Sequence, residues 1–200
     1  MMTKLPLSFF ERSDVVQIAR ELVGKILLTS FDGQRTSGRI VETEAYNGIV
    51  DKASHAYSGR RTARTDIMFR EGGTAYVYLC YGIHHLFNVV TNTINIPHAV
   101  LIRAIEPLEG VDIMQERLRA PGGGPLHTFG RGPGKLSKAL GISTSHTGTV
   151  LQESIAIYDD GYRPAEIIAG PRIGVDYAAE DAELPYRFYL AGSKAVSGKK

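Results

Sequence analysis

The run GRIVETEAY, Gly38 to Tyr46, places two glutamates at i and i+2 of a strand-like segment. Alternation puts Ile40, Glu42, Glu44 and Tyr46 on one face and Val41, Thr43 and Ala45 on the other. Glutamate is exposed by default, so the ordinary reading is a solvated face with cationic neighbours. The chemical reading puts the pair in a cleft. Residues two apart on a strand are separated by about 6.6 Å. At that distance two like charges repel by roughly 2 kcal/mol for an effective dielectric of about 20. Such repulsion raises one carboxyl towards neutrality and suits it to acid–base work. A metal site would have to recruit His55 and Asp51, but the chain carries no HExxH, paired cysteines or EF-hand pattern.

Tyrosines 46, 57, 76, 78 and 81 fall close together in sequence. β-Propensity and core packing account for some of them, Tyr76 more readily than Tyr81, which sits beside a turn glycine. With no tryptophan in the chain, tyrosine and histidine are its main stacking surfaces with a polar handle. Nucleobases use such surfaces. The segment SGRRTARTDIMFR adds Arg60, Arg61, Arg64 and Arg70 against Asp66 alone. It reads as a solvated loop or as a phosphate-contacting one. GRGPGKLSKAL fails the Walker A pattern, because Phe129 stands at the first glycine position and Leu136 follows Lys135. A glycine-rich turn opening a helix still offers amides and Lys135 to an anion.

These residues need elements to hold them. Asp14 with Gln17 reads as a capping box for the helix VVQIARELVG, with Gly24 at its end. KILLT is a strand, and the polar turn FDGQRTSG leads into GRIVETEAY. Residues 47–73 lack periodicity and read as a long ordered loop. TAYVYLCYGIHHLFNVVTN reads as a hairpin with its tip at Tyr81 to Ile83. AVLIRAIEP is a strand and EGVDIMQERLR a helix; residues 121–134 form a second loop, and Lys135 to Leu140 a short helix. The remainder alternates short strands and turns up to YRFYLAG, and residues 193–200, SKAVSGKK, are expected to fray.

A chain of 200 residues holds one well-buried domain and is short for two. With 43% hydrophobic and 22% charged residues it has the composition of an ordinary globular protein. No apolar run approaches the roughly 20 residues of a bilayer span, and the start does not read as a signal peptide. Cys80 is the single cysteine, so internal disulfides are excluded and a reducing compartment is expected. A net charge of +2 neither demands nor excludes nucleic acid.

In order along nearly the whole chain, LSFFERSDVVQIARELVGKILL, GRIVETEAYNG, DKASHAYSGRRTARTDIMF, GGTAYVYLCYGIHHLFNVVTN, VLIRAIEPLEG, GRGPGKLSKALGIS, PRIGV and RFYLAGS resemble the alkyladenine (3-methyladenine) DNA glycosylase family. The resemblance implies that Glu44 activates water for attack on the sugar C1′ and that Arg103 helps hold both. It implies that Tyr46, His55 and Tyr78 stack on or hydrogen-bond an extruded base. Asn88 at the pocket floor would reject guanine through its exocyclic amine. Tyr81 would wedge into the duplex, and Arg60, Arg61, Ile83 and Lys135 would lie along the DNA backbone. The chain departs from relatives at Ile83, His84 and His85, where they carry other apolar or aromatic residues, and at Ala195, often aromatic in them.

The implied fold is a single α+β domain spanning residues 1–200. It has a curved, mainly antiparallel sheet, flanking helices and a protruding β-hairpin. The implied activity is monofunctional release of alkylated or deaminated purines from double-stranded DNA, leaving an abasic site, with no metal and no cofactor. The chemistry agrees: an N-glycosidic bond breaks through an oxocarbenium-like sugar that a carboxylate stabilises while it deprotonates water. A duplex base is reachable only once flipped, which calls for an aromatic pocket and a plug. The absence of a long N-terminal extension points to a bacterial-type enzyme acting in the cytoplasm on the nucleoid, and a monomer with no membrane partner is expected. Two rivals use the same residues. One is a non-catalytic module that stacks unpaired bases; the other is a carbohydrate glycosidase with Glu42 and Glu44 as its acid pair.

Overall fold

The structure, a computed structural model, describes residues 2–119 and 124–198. After β1 (Thr3–Lys4) and α1 (Leu7–Phe10), the helix α2 (Val15–Leu22) starts where Asp14 Oδ1 accepts the Gln17 amide at 2.9 Å. Only this half of the expected capping box forms, because the Gln17 side chain donates to Glu21 instead. Val15, Ile18, Ala19 and Leu22 face the core at helical spacing. β2 (Ile26–Phe31) and β3 (Gln34–Tyr46) follow, joined by a turn confined to Asp32 and Gly33. The expected polar turn is thus mostly strand, since Gln34 to Gly38 pair across to β2 and need no loop geometry.

Residues 47–73 contain short 3₁₀ turns at Gly48–Val50, Tyr57–Gly59 and Asp66–Phe69. β4 (Ala75–Cys80) and β5 (His84–Thr91) make the hairpin, and β6 (His98–Glu109) returns beside it. α3 (Val111–Leu118) comes next; of the second loop, residues 121–123 lie outside the described residues. α4 (Pro133–Leu140) begins at a proline in the first turn, where the missing N–H costs nothing. β7 (Ile155–Asp159), β8 (Ile167–Gly170) and β9 (Arg187–Leu190) complete an open α+β arrangement in which the strand pairings are antiparallel.

The sheet runs β1-β7-β2-β3-β6-β5-β4, with β9 pairing the end of β3 and β8 pairing β9. Glu42 to Glu44 therefore lie between β6 and β9, in the middle of the sheet. One face carries the main apolar core. Ala45, Val77, Phe87, Val89, Val100 and Ile102 pack there with Leu22, Met114, Leu136 and Leu140 of the helices. The opposite face carries Glu44, Tyr46, Tyr76, Tyr78, Asn88 and Leu101, at the alternate positions of the same strands.

Two compensating bulges separate the faces at the glutamates. Ile40 pairs with Ile105 and Glu42 with Ala104, which leaves Val41 unpaired. Thr43 then pairs with Ile102, which leaves Arg103 unpaired and restores the register. The bulge flips parity: Ile40 joins the helix-side core, while Val41 packs with Ala104 on the other face. The simple alternation that put Ile40 beside Glu42 is thereby corrected. A bulge re-aims the extra side chain, and here the side chain re-aimed is Arg103.

The expected fraying of 193–200 is also corrected for the residues described. Ala195 and Val196 are buried against Val41 and Ala104, and the Ser197 amide donates to Glu42 at 2.7 Å. Residues 199–200 lie outside the described residues.

Candidate active site

Glu42 and Glu44 are fully buried, which overturns the solvated-face reading. Burial of a carboxylate demands compensation, and the bulged Arg103 supplies it to both. Its Nε donates to Glu42 Oε1 at 3.1 Å and its Nη1 to Glu44 Oε2 at 3.2 Å. The repulsion expected from strand spacing is therefore offset by a cation lying between the two acids. Glu42 also accepts from Arg187 Nε at 2.7 Å and from the Ser197 amide. Burial disfavours the Arg103 charge, but Glu44 and Glu42 outweigh it and hold the guanidinium even more firmly protonated than usual.

Glu44 has a different set of partners. Oε1 accepts the Ile173 amide at 2.7 Å, and Oε2 accepts the Tyr46 hydroxyl at 2.9 Å as well as Arg103. A carboxylate offers about four lone-pair sites, so these three donors leave room for one more. Burial first, and then the Glu44 charge, push the Tyr46 phenol well above its ordinary value. It stays a hydrogen-bond donor at neutral pH.

Above this layer opens a cleft of about 210 Å³ lined by Tyr46, His55, Tyr76, Tyr78, Asn88 and Arg103 among others. His55 Nδ1 bonds the Tyr76 hydroxyl at 2.9 Å, and its ring meets Tyr78 edge-on with centroids 4.7 Å apart. Burial, then the nearby Arg64 and Arg60 charges, push His55 down to about 4, so its ring is neutral at pH 7. The Tyr76 phenol is pushed up to about 12 by burial. Asn88 spends its amide hydrogens on the carbonyls of Tyr76 and Leu86, at 3.1 and 3.3 Å, which fixes it as a rigid part of the wall.

At the mouth stands the hairpin tip. Ile83 N donates to Cys80 O, closing a turn whose central residues Tyr81 and Gly82 have φ of 51° and 72°. Gly82 adopts this freely, whereas a bulky residue at positive φ is strained. Tyr81 is nevertheless there, with 92% of its surface exposed, and Ile83 beside it is also exposed. The Tyr81 and Ile83 side chains thus stand clear of the protein surface at the mouth of the cleft.

The structure thus brings Glu44, Arg103, Tyr46, His55, Tyr78, Asn88 and Tyr81 to one cleft. The basic candidates lie outside it. Arg60 and Lys135 are exposed, while Arg61 is engaged by Asp66 at 2.7 Å and by the Phe69 ring. Ile83 and Lys138 border a separate groove between the hairpin and α4. Sequence reasoning missed Arg187, Ser197, Ile173 and Arg172. Arg172 is buried and forms a two-pronged pair with Asp51 at 2.5 and 2.8 Å. An arginine inside an apolar strand, as in YRFYL, was the available signal for Arg187.

The sequence model of one family, described as methylpurine-DNA glycosylase (MPG), matches residues 8–194. A candidate 3-methyladenine DNA glycosylase of Chlamydia abortus is 50% identical over 187 residues, covering 93% of this chain and 97% of that protein. One of Bacillus subtilis is 44% identical, covering 96% of each. One of Desulfitobacterium hafniense is 43% identical, covering 99% of this chain and all of that protein. With a buried carboxylate–arginine layer under an aromatic cleft and an aromatic tip at its mouth, this chain belongs to the methylpurine-DNA glycosylase family.

Proposed function

We propose that this chain hydrolyses the N-glycosidic bond of alkylated or deaminated purines in double-stranded DNA, with Glu44 as the water-activating base. The observation that carries the reading is the Glu44 environment: three fixed donors, one acceptor site left, and a cation that also lines the cleft. A water held by Glu44 and Arg103 gives its proton to the carboxylate as its oxygen bonds to C1′. The C1′–N bond breaks with its electron pair going to the purine, which takes up a proton, and an abasic sugar remains.

The flipped base stacks on or hydrogen-bonds Tyr46, His55 and Tyr78, and the fixed Asn88 side chain excludes an exocyclic amine at the floor. Tyr81 fills the vacated place in the duplex. Arg60, Arg61, Ile83 and Lys135 contact the backbone around it. Each of these groups comes from one chain, so a monomer suffices, and the setting is the bacterial nucleoid in the cytoplasm. No helix among the described residues is long and apolar enough to cross a membrane.

Glu44→Gln tests the reading against a non-catalytic stacking module. General-base catalysis contributes about 10²–10⁴-fold, so base release in single turnovers is expected to fall by that much. Binding to a duplex with an abasic-site analogue should be kept. Unchanged release would refute the assignment. The sugar-glycosidase reading gains no support, because the Glu42 oxygens are committed to Arg103, Arg187 and the Ser197 amide.

A further inference from the structure

Arg172 is a buried cation that the proposed chemistry leaves unused, and one of its donors is left over. Its side chain is fully buried, yet its Nε–H finds no acceptor among the described residues. An unpaired buried donor is a cost, while Nη1 and Nη2 are paired to Asp51, Ala45 O and Asp181 O, so stability is one reason for an arginine there. Its contacts supply another reason. The guanidinium lies 4.9 Å from the centroid of the Tyr46 ring and 5.3 Å from that of Tyr186. Nη1 also donates to Ala45 O at 2.9 Å, on the strand that carries Glu44. The next residue, Ile173, puts its amide on Glu44 Oε1.

Asp51 fixes that guanidinium from the other side and accepts the amides of Asn47 and Ala53 at 2.9 and 3.0 Å. One ion pair thus references three things to each other: the Tyr46 ring, the donor on Glu44, and the loop that leads into His55. We propose that Arg172, held by Asp51, is a positioning residue for base release, setting the plane of Tyr46 against the flipped base and the orientation of Glu44 towards water. The proposal rests on the glycosylase reading above. Lysine would keep the charge but lacks the planar fork that pairs with a carboxylate and lies flat on a ring.

The test uses the full chain with Arg172→Lys, Arg172→Met and Asp51→Asn. Single-turnover release is measured from a duplex carrying one hypoxanthine, and affinity from a duplex carrying an abasic-site analogue. A misplacement of about 1 Å costs on the order of 100-fold, so Arg172→Lys should release base about 10- to 100-fold more slowly, with Asp51→Asn alike. Affinity for the abasic duplex should stay within about twofold, since no base then uses Tyr46. Release at the parental rate in Arg172→Lys overturns the proposal, as does a loss of affinity equal to the loss of rate. If Arg172→Met does not fold, the other two variants decide; if none folds, the pair is a folding element and the proposal falls. A parental chain that releases no purine from hypoxanthine, 3-methyladenine, 7-methylguanine or ethenoadenine duplexes overturns the glycosylase reading itself, and this one with it.

Discussion

Replacing Glu42 by glutamine separates the structural carboxylate from Glu44, the one proposed as the base. Glu42 has no exposed surface and holds four things in place: Arg103, Arg187, the Ser197 amide and, through them, the end of the chain. Glutamine has nearly the same shape but one acceptor oxygen in place of two. If that oxygen faces the arginines, its NH₂ meets the Ser197 N–H; if it faces Ser197, the NH₂ meets two guanidinium donors. Either way a buried donor is left unpaired, at about 1–3 kcal/mol. The Arg187 charge also loses its carboxylate, and breaking a buried pair from one side costs about 3–5 kcal/mol. These overlap, so a loss of about 3–5 kcal/mol in total is expected, or roughly 6–20 °C in Tm for a chain of this size. Glu44 keeps its partners Tyr46 and Ile173. Base release, measured in single turnovers well below the lowered Tm, should therefore stay within about tenfold of the parent, far from the loss expected of Glu44→Gln. Thermal denaturation and the release assay are run on the same preparation. A variant as stable as the parent but as inactive as Glu44→Gln would refute the division of labour and revive Glu42 as a catalytic acid.

Tyr81→Ala should leave Tm almost unchanged, because the side chain is 92% exposed. It should slow release from duplexes by roughly 10- to 100-fold, the worth of about 1–3 kcal/mol of stacking; an unmoved rate would end the wedge role. For His55, held down near 4 against an ordinary 6.5, the unfolded chain takes up its proton first as pH falls. Its contribution, on the order of 3 kcal/mol, is full above pH 6.5 and is lost progressively towards pH 4. An NMR titration of His55 with a midpoint near 6.5 would contradict this. Removing the charge of Arg60 or Lys135 should flatten the salt dependence of DNA binding by about 0.9 in log slope per phosphate contact. A slope that stays put would take that residue off the backbone.

The hairpin with Tyr81 at its tip and the strand carrying Glu44 were legible because each is a local pattern: alternation, a tyrosine–glycine turn, a run of β-formers. The cleft residues could be grouped only through a family resemblance, since His55, Asn88 and Arg103 carry no mutual spacing. What stayed hidden was set by pairing between distant segments. The bulge at Arg103 arises from the register of β6 against β3 and leaves no trace in either strand alone. Arg187, the second cation on Glu42, and Arg172, the partner of Asp51, lie 145 and 121 positions away. SKAVSGKK looked polar and terminal, yet Ala195 and Val196 find an apolar seat on Val41 and Ala104 that only the folded sheet provides.

Those distances also impose an order of events. The ribosome delivers β3 with its buried acids early, while β9 and the segment through Ser197 follow much later, Ser197 lying 155 positions beyond Glu42. Until then the Glu42–Glu44 side of β3 is an unpaired edge next to β6, holding two carboxylates with Arg103 alone to face them. A nascent chain can build its hairpin and helices, but its sheet is not sealed and the Glu42–Glu44 layer is not fully paired before Ser197 emerges. Shorter nascent chains thus lack the cation and the amide that hold this layer, whatever else in them has already folded.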